Sequence, residues 1–207
     1  MSASRKFICS VMILAAAQLL PACSKTPQLP LLAADATILA FGDSLTAGSG
    51  AADTESYPAV LTRLTGRRVI NAGVPGEVSA DGVKRLPGLL ERERPVLLIL
   101  CHGGNDLIAR RDHQLIADNL RAMIRTAGER GVPVLLVAVP ALGLTLKPPS
   151  LYQELAREFR IPLERKALAH IMGKSNLKSD YIHPNAAGYR LLAEALAELL
   201  KKSGALP

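Results

Sequence analysis

Beyond residue 36 the apolar residues gather into four short runs, Thr37–Phe41, Val69–Ile70, Val96–Cys101 and Val134–Val139, each bounded by Gly, Pro or Asn. Runs this short, without polar alternation and closed by turn residues, predict strands buried on both faces. Between them the spacing becomes helical. Leu115, Ile116, Leu120, Met123, Ile124 and Ala127 share one face, with Asp112 placed to cap the helix start and Gly131 and Pro133 to end it. A second helical segment, Ser79 to Arg94, is interrupted by Gly82 and Pro87. The last, Ala186 to Lys202, turns Leu192, Ala195, Leu196 and Leu199 to a core.

Strand alternating with helix implies βαβ units around a parallel sheet, so the pattern predicts one α/β domain of three layers, α/β/α, over residues 37–207. Such open sheets place their sites beyond the carboxyl ends of the strands. The first strand is followed by Gly42-Asp43-Ser44, the second by Asn71-Ala72-Gly73, and the third by Gly103-Gly104-Asn105-Asp106. The polar, glycine-rich residues therefore collect at one edge of the sheet.

The first 36 residues read differently. Arg5 and Lys6 precede an apolar stretch from Phe7 to Leu20, and no acidic residue occurs before Asp35. That is the pattern of a secretory signal, and it is short for a membrane span, which needs about 20 apolar residues. The stretch ends in Leu20-Pro21-Ala22-Cys23, which resembles a bacterial lipoprotein cleavage box. The resemblance implies a signal peptide over residues 1–22 and a diacylglyceryl thioether on Cys23. The exported protein would then be held on the cell envelope, facing the periplasm. Ser24 after the cysteine favours the outer membrane, by resemblance to sorting rules. Residues 23–36, with Pro27 and Pro30 among small and polar residues, are expected to form the lipidated terminus and a flexible tether.

Removing 22 of the 207 residues leaves 185, enough for one domain with a proper core. The leader carries two of the 25 basic residues and none of the 18 acidic ones, so the mature formal charge is +5. The basic residues are scattered, Arg92, Arg94, Arg110, Arg111 and Arg130 among them, and only 3% of the chain is aromatic. Stacking on nucleic acid is therefore not expected, and a solvated basic face is. Cys9 leaves with the leader and Cys23 takes the lipid, so Cys101 is expected as a lone buried thiol. With no HExxH, paired CxxC or P-loop pattern, no metal, cofactor or nucleotide is inferred, and the protein is expected to be a monomer.

Ser44 has the best position for chemistry. Gly42 permits a sharp exit from the first strand, and Ser44 then opens a helical turn with its own N–H free for a developing oxyanion. A serine hydroxyl needs a base, and there are four histidines. His113 and His170 lie within helical segments. His102 ends the third strand near the same edge. His183, in Asp180-Tyr181-Ile182-His183-Pro184, precedes the last helix, and Pro184 biases it to an extended conformation. Asp180 can fold back to hold its imidazole, as a Ser-His-Asp triad requires. Asn105 can give a side-chain N–H to the oxyanion, and Gly73 a backbone one.

These blocks, Phe41-Gly-Asp-Ser-Leu45, Asn71-Ala-Gly73, Gly103-Gly-Asn-Asp106 and Asp180-x-x-His183, resemble the four signatures of the SGNH, or GDSL, hydrolases. The match runs from about Ile38 to Leu200. Asn71-Ala-Gly-Val-Pro-Gly-Glu77 and His183-Pro-Asn-Ala-Ala-Gly-Tyr189 are similar to the bacterial arylesterase, thioesterase and lysophospholipase branch. The resemblance implies a flavodoxin-like sheet, no cofactor, and hydrolysis of acyl esters through an acyl-enzyme. By position it makes Ser44, Asp180 and His183 catalytic, and Ser44, Gly73 and Asn105 the oxyanion donors. His102 stands where an aliphatic residue is expected and is read as a hydrogen-bonded structural histidine, with a catalytic part as the alternative. Leu142, Leu144 and Leu146 either wall an acyl chain or cap the core. A carbohydrate O-deacetylase and a non-catalytic envelope binding lipoprotein remain the rival functions.

Overall fold

The computed structural model describes residues 26–207 apart from Leu144; the signal, its cleavage box and Cys23 lie outside the described residues. Five parallel strands, β1 (Thr37–Gly42), β2 (Arg68–Gly73), β3 (Leu97–Cys101), β4 (Val134–Val137) and β5 (Leu163–Glu164), form one sheet in the order β2-β1-β3-β4-β5. This is the flavodoxin-like order. The first four are the predicted apolar runs. β3 is fully buried along its length and β4 likewise, as strands covered on both faces must be.

The helices are α1 (Ser44–Ala47), α2 (Tyr57–Thr65), α3 (Ser79–Glu93), α4 (Gly104–Ile108), α5 (His113–Gly128), α6 (Ser150–Phe159), α7 (Ala167–Met172) and α8 (Ala186–Lys202). α2 packs on α8, while α3 packs on α5 and α5 on α6, giving a layer on each side of the sheet. In α5 the Asp112 carboxylate accepts from Gln114 N at 2.7 Å, the predicted cap. Leu115, expected inward, is 46% exposed, and Ala117 takes its place on the buried face with Ile116, Leu120, Met123, Ile124 and Ala127. α3 runs unbroken through Gly82 and Pro87.

The expected tether is a correction. From Leu29 the chain is docked, not loose: Leu29 N donates to Ser203 O at 2.8 Å and Leu32 N to Ala205 O at 2.9 Å, with both leucines buried. Two apolar side chains among the prolines decide this. Burying a leucine is worth roughly 1.5–3 kcal/mol, enough to hold a short segment against the C-terminal tail.

Candidate active site

Chain order changes direction between β1 and β3, which flank each other at the centre of the sheet, and there the loops after the two strands part to leave a crevice. Gly42 closes β1, and a Cβ on it would lie 1.9 Å from Cys101 O on β3, so only glycine lets the strands approach there. Asp43 follows, 1% exposed, its Oδ1 accepting from Leu45 N at 3.0 Å and its Oδ2 turned towards Gly104. Burial raises the Asp43 carboxyl against the lowering effects of His102 and of the N–H of Leu45. Ser44 is thereby fixed at the first residue of α1.

The imidazole arrives from the other end of the chain. His183 Nε2 lies 3.0 Å from Ser44 Oγ, and His183 Nδ1 lies 2.8 Å from Asp180 Oδ2. Asp180 Oδ1 accepts from the N–H groups of Ile182 and His183, each at 2.8 Å. Burial alone would raise the Asp180 carboxyl, but the bond to His183 and these two N–H groups outweigh it and hold it below its usual range. It therefore stays ionised behind the ring.

Neighbouring residues fix this loop. Ser179 N donates to His183 O at 3.0 Å, Asn185 N donates to Leu177 O at 3.0 Å, and Asn185 Oδ1 caps α8 through Gly188 N. Tyr189, in the first turn of α8, donates its hydroxyl to Ser49 O at 2.8 Å and so ties the imidazole's helix to the turn that follows Ser44. His113 and His170 are exposed on α5 and α7, and Cys101 is buried, as expected.

Of the residues expected to offer an N–H to an oxyanion, one has an N–H to spare and another does not. Asn105, at the start of α4, gives one amide N–H to Glu77 O at 2.9 Å and keeps a second. Gly73 is a correction. Its N–H is spent on Asn71 Oδ1 at 3.0 Å, and the residue is glycine because a Cβ would fall 2.0 Å from Ala47 N. Three residues on, Gly76 has φ +79°, open space around its Cα, and no partner for its N–H among the described residues. Glu77 N bonds to Val74 O at 3.1 Å, so Pro75-Gly76 forms the corner of a turn with glycine where φ must be positive. That turn abuts the Asn105 amide. The Pro-Gly pair was the signal in the sequence that pointed to it.

Beside Ser44 opens a cleft lined by Leu107 and Ile108 of α4, Val139, Pro140 and Leu142 after β4, Met172 of α7, and Ile182. Its surface is mostly apolar. Of the three leucines singled out from sequence, Leu142 lines this cleft, Leu146 lines a separate hollow with Lys147, Arg165 and Lys166, and Leu144 lies outside the described residues. Ile108, Met172 and Ile182 were not evident, since they come from three distant segments.

A hydroxyl, an imidazole and a carboxylate in file, beside an apolar cleft at the carboxyl edge of an α/β/α sandwich, define the class as an ester hydrolase. Residues 40–191 match the GDSL-like lipase/acylhydrolase family, and the chain belongs to it. It is 31% identical to Esterase TesA of Pseudomonas aeruginosa over 89% of this chain and 98% of the relative. It is 30% identical to Thioesterase 1/protease 1/lysophospholipase L1 of Escherichia coli K12, over 82% of this chain and 85% of that one. The esterase EstA from Pseudoalteromonas sp., solved inhibited by monoethylphosphonate, superposes with a TM-score of 0.72 at 26% identity, covering 81% of this chain and 98% of that one. The protein is thus a carboxylic ester hydrolase of the SGNH type.

Proposed function

We propose that Ser44 is the nucleophile of an acyl-ester hydrolase whose preferred substrates carry medium or long acyl chains, lysophospholipids among them. The observation that carries this is the Ser44–His183–Asp180 file opening onto a cleft walled by Ile108, Leu142, Met172 and Ile182. Ser44 Oγ attacks the carbonyl carbon while its proton passes to His183 Nε2, and Asp180 keeps Nδ1 protonated and the ring in line. The carbonyl oxygen, now negative, takes N–H donors from Ser44, Gly76 and Asn105. His183 returns the proton to the leaving alkoxide or thiolate. Water activated by the same imidazole then releases the acid and restores Ser44. The names of the relatives, esterase, thioesterase and lysophospholipase, support this substrate class. Export and lipidation at Cys23 belong to the same proposal.

The test is hydrolysis of p-nitrophenyl acetate, butyrate, octanoate and palmitate by the domain from Thr26, beside Ser44→Ala. The expected result is turnover that rises from acetate to octanoate and falls by at least about 10⁴-fold in the variant. A preference for acetate would overturn the acyl-chain reading, and unchanged turnover by Ser44→Ala would overturn the nucleophile.

A further inference from the structure

We infer that Glu77, clamped between Arg85 and His102, is a positioning residue that sets the oxyanion-binding turn and the Asn105 amide. The inference rests on the roles proposed above for Ser44 and Asn105.

His102 is fully buried, and its bonds run to the turn that carries Glu77. Its Nδ1 accepts from Gly103 N at 2.9 Å, and its Nε2 lies 3.0 Å from Glu77 Oε2. A backbone N–H can only donate, so Nδ1 must be the unprotonated nitrogen and Nε2 the one that bears hydrogen. The ring is thereby oriented as a donor to Glu77. From the other side Arg85 grips the same carboxylate with two bonds, Nε to Oε1 at 2.7 Å and Nη2 to Oε2 at 2.6 Å.

Arg85 is itself seated on the ends of the central strands. Its Nη2 donates to Ala72 O at 3.1 Å and reaches Gly42 O at 3.4 Å, and its guanidinium lies 4.2 Å over the Phe41 ring. The Glu77 carboxylate therefore links β1, β2, the end of β3 and α3. Its own main-chain oxygen holds Asn105 Nδ2 at 2.9 Å, and its N–H closes the turn with Gly76 at the corner. The two proposed donors from outside α1 are thus both referred to one side chain. Without it, the turn keeps its sequence but loses its fixed height above Ser44. Nothing in the triad needs this carboxylate, which is why its loss should be felt in the transition state and not in substrate binding.

The experiment is a double-mutant cycle of Glu77→Gln and Asn105→Ala, read on p-nitrophenyl butyrate, with wild type and Ser44→Ala as controls. Losing an oxyanion donor outright costs about 10²–10³ in turnover, and misplacing one should cost less. The expected result is a fall in kcat of about 10-fold for Glu77→Gln with KM within about threefold. In the Asn105→Ala background Glu77→Gln should cost clearly less than it costs alone, because part of the carboxylate's effect runs through that amide and the rest through the turn. His102→Leu, which removes one clamp and leaves Arg85, should give a smaller fall of the same kind; it serves in place of Glu77→Gln should that variant fail to fold. A folded variant with kcat within twofold of wild type, losses that multiply in the double variant, or a change confined to KM would each overturn the inference. Failure of the underlying reading shows separately, as Ser44→Ala retaining activity.

Discussion

At the residue scale the site is held by carboxylates whose ionisation is set by what surrounds them. Burial would raise Glu77, but the bonds to Arg85 and His102 outweigh it and bring its pKa from an ordinary 4.5 to about 2. Since the folded value is the lower one, the stabilisation is fully present above about pH 4.5 and is lost as the pH falls through it towards 2. The interval corresponds to about 3 kcal/mol at most. Unfolding free energies measured by urea from pH 6 to pH 2.5 should therefore fall more steeply for wild type than for Glu77→Gln. Equal slopes would mean that the carboxylate is no better solvated by its partners than by water.

The juxtaposition of Ser44, His183 and Asp180 was legible at this scale because each lies in a short run with a chemical reason of its own. The choice between Gly73 and Gly76 was not. Pro75-Gly76 marks a turn but not which N–H stays unspent; only the geometry shows that Gly73 abuts the backbone of α1 with its N–H bound to Asn71, while the Gly76 N–H has no partner among the described residues. His102 was placed correctly at the strand end, yet its partner is 25 residues away in sequence and could not be read from spacing.

Among elements, α3 departs furthest from its sequence signals. Gly82 and Pro87 both argue for a break, and the helix continues through them. The structure explains Gly82: a Cβ there would sit 2.7 Å from His102 Nε2, so the glycine is the slot into which the imidazole fits. Helix propensity alone makes Gly82→Ala favourable by about 1 kcal/mol. The expected outcome is the reverse, a lower melting temperature together with reduced kcat, because the imidazole must move off Glu77. A gain in melting temperature with unchanged kcat would show that the slot has slack. β1, β3 and β4 were legible because burial on both faces demands an unbroken apolar run, whereas β2, an edge strand with exposed positions, showed only Val69–Ile70. β5, two residues long at the sheet edge, carries no such demand and left no run to find.

The whole molecule adds an arrangement that no single motif contains. Composition and the order of blocks sufficed for a parallel three-layer sandwich, since three of the four blocks lie at strand ends and strands alternate with helices. They did not suffice for the expected tether over residues 23–36, where Pro27, Pro30 and small residues read as flexible although Leu29 and Leu32 bury themselves. What decided it was the C-terminal tail at Ser203 and Ala205, about 170 residues away, which a local reading does not see.

That docking fixes a direction for the enzyme. α8 begins just after His183 and runs 17 residues, about 25 Å, to the opposite pole, where Leu29 and Leu32 are fastened. A lipid on Cys23 would leave the five residues 24–28 as leash, at most about 20 Å from Cys23 to Leu29, between the bilayer and that pole. The catalytic mouth would then look outward across the periplasm, and lipids of the supporting leaflet would be out of reach while substrates arriving from the facing side were not. In vesicles bearing the lipidated protein, inserting about 20 flexible residues after Ser24 should raise hydrolysis of a lysophospholipid in the same bilayer and leave soluble p-nitrophenyl butyrate unaffected. An unchanged ratio between the two would mean that the short leash imposes no such bias.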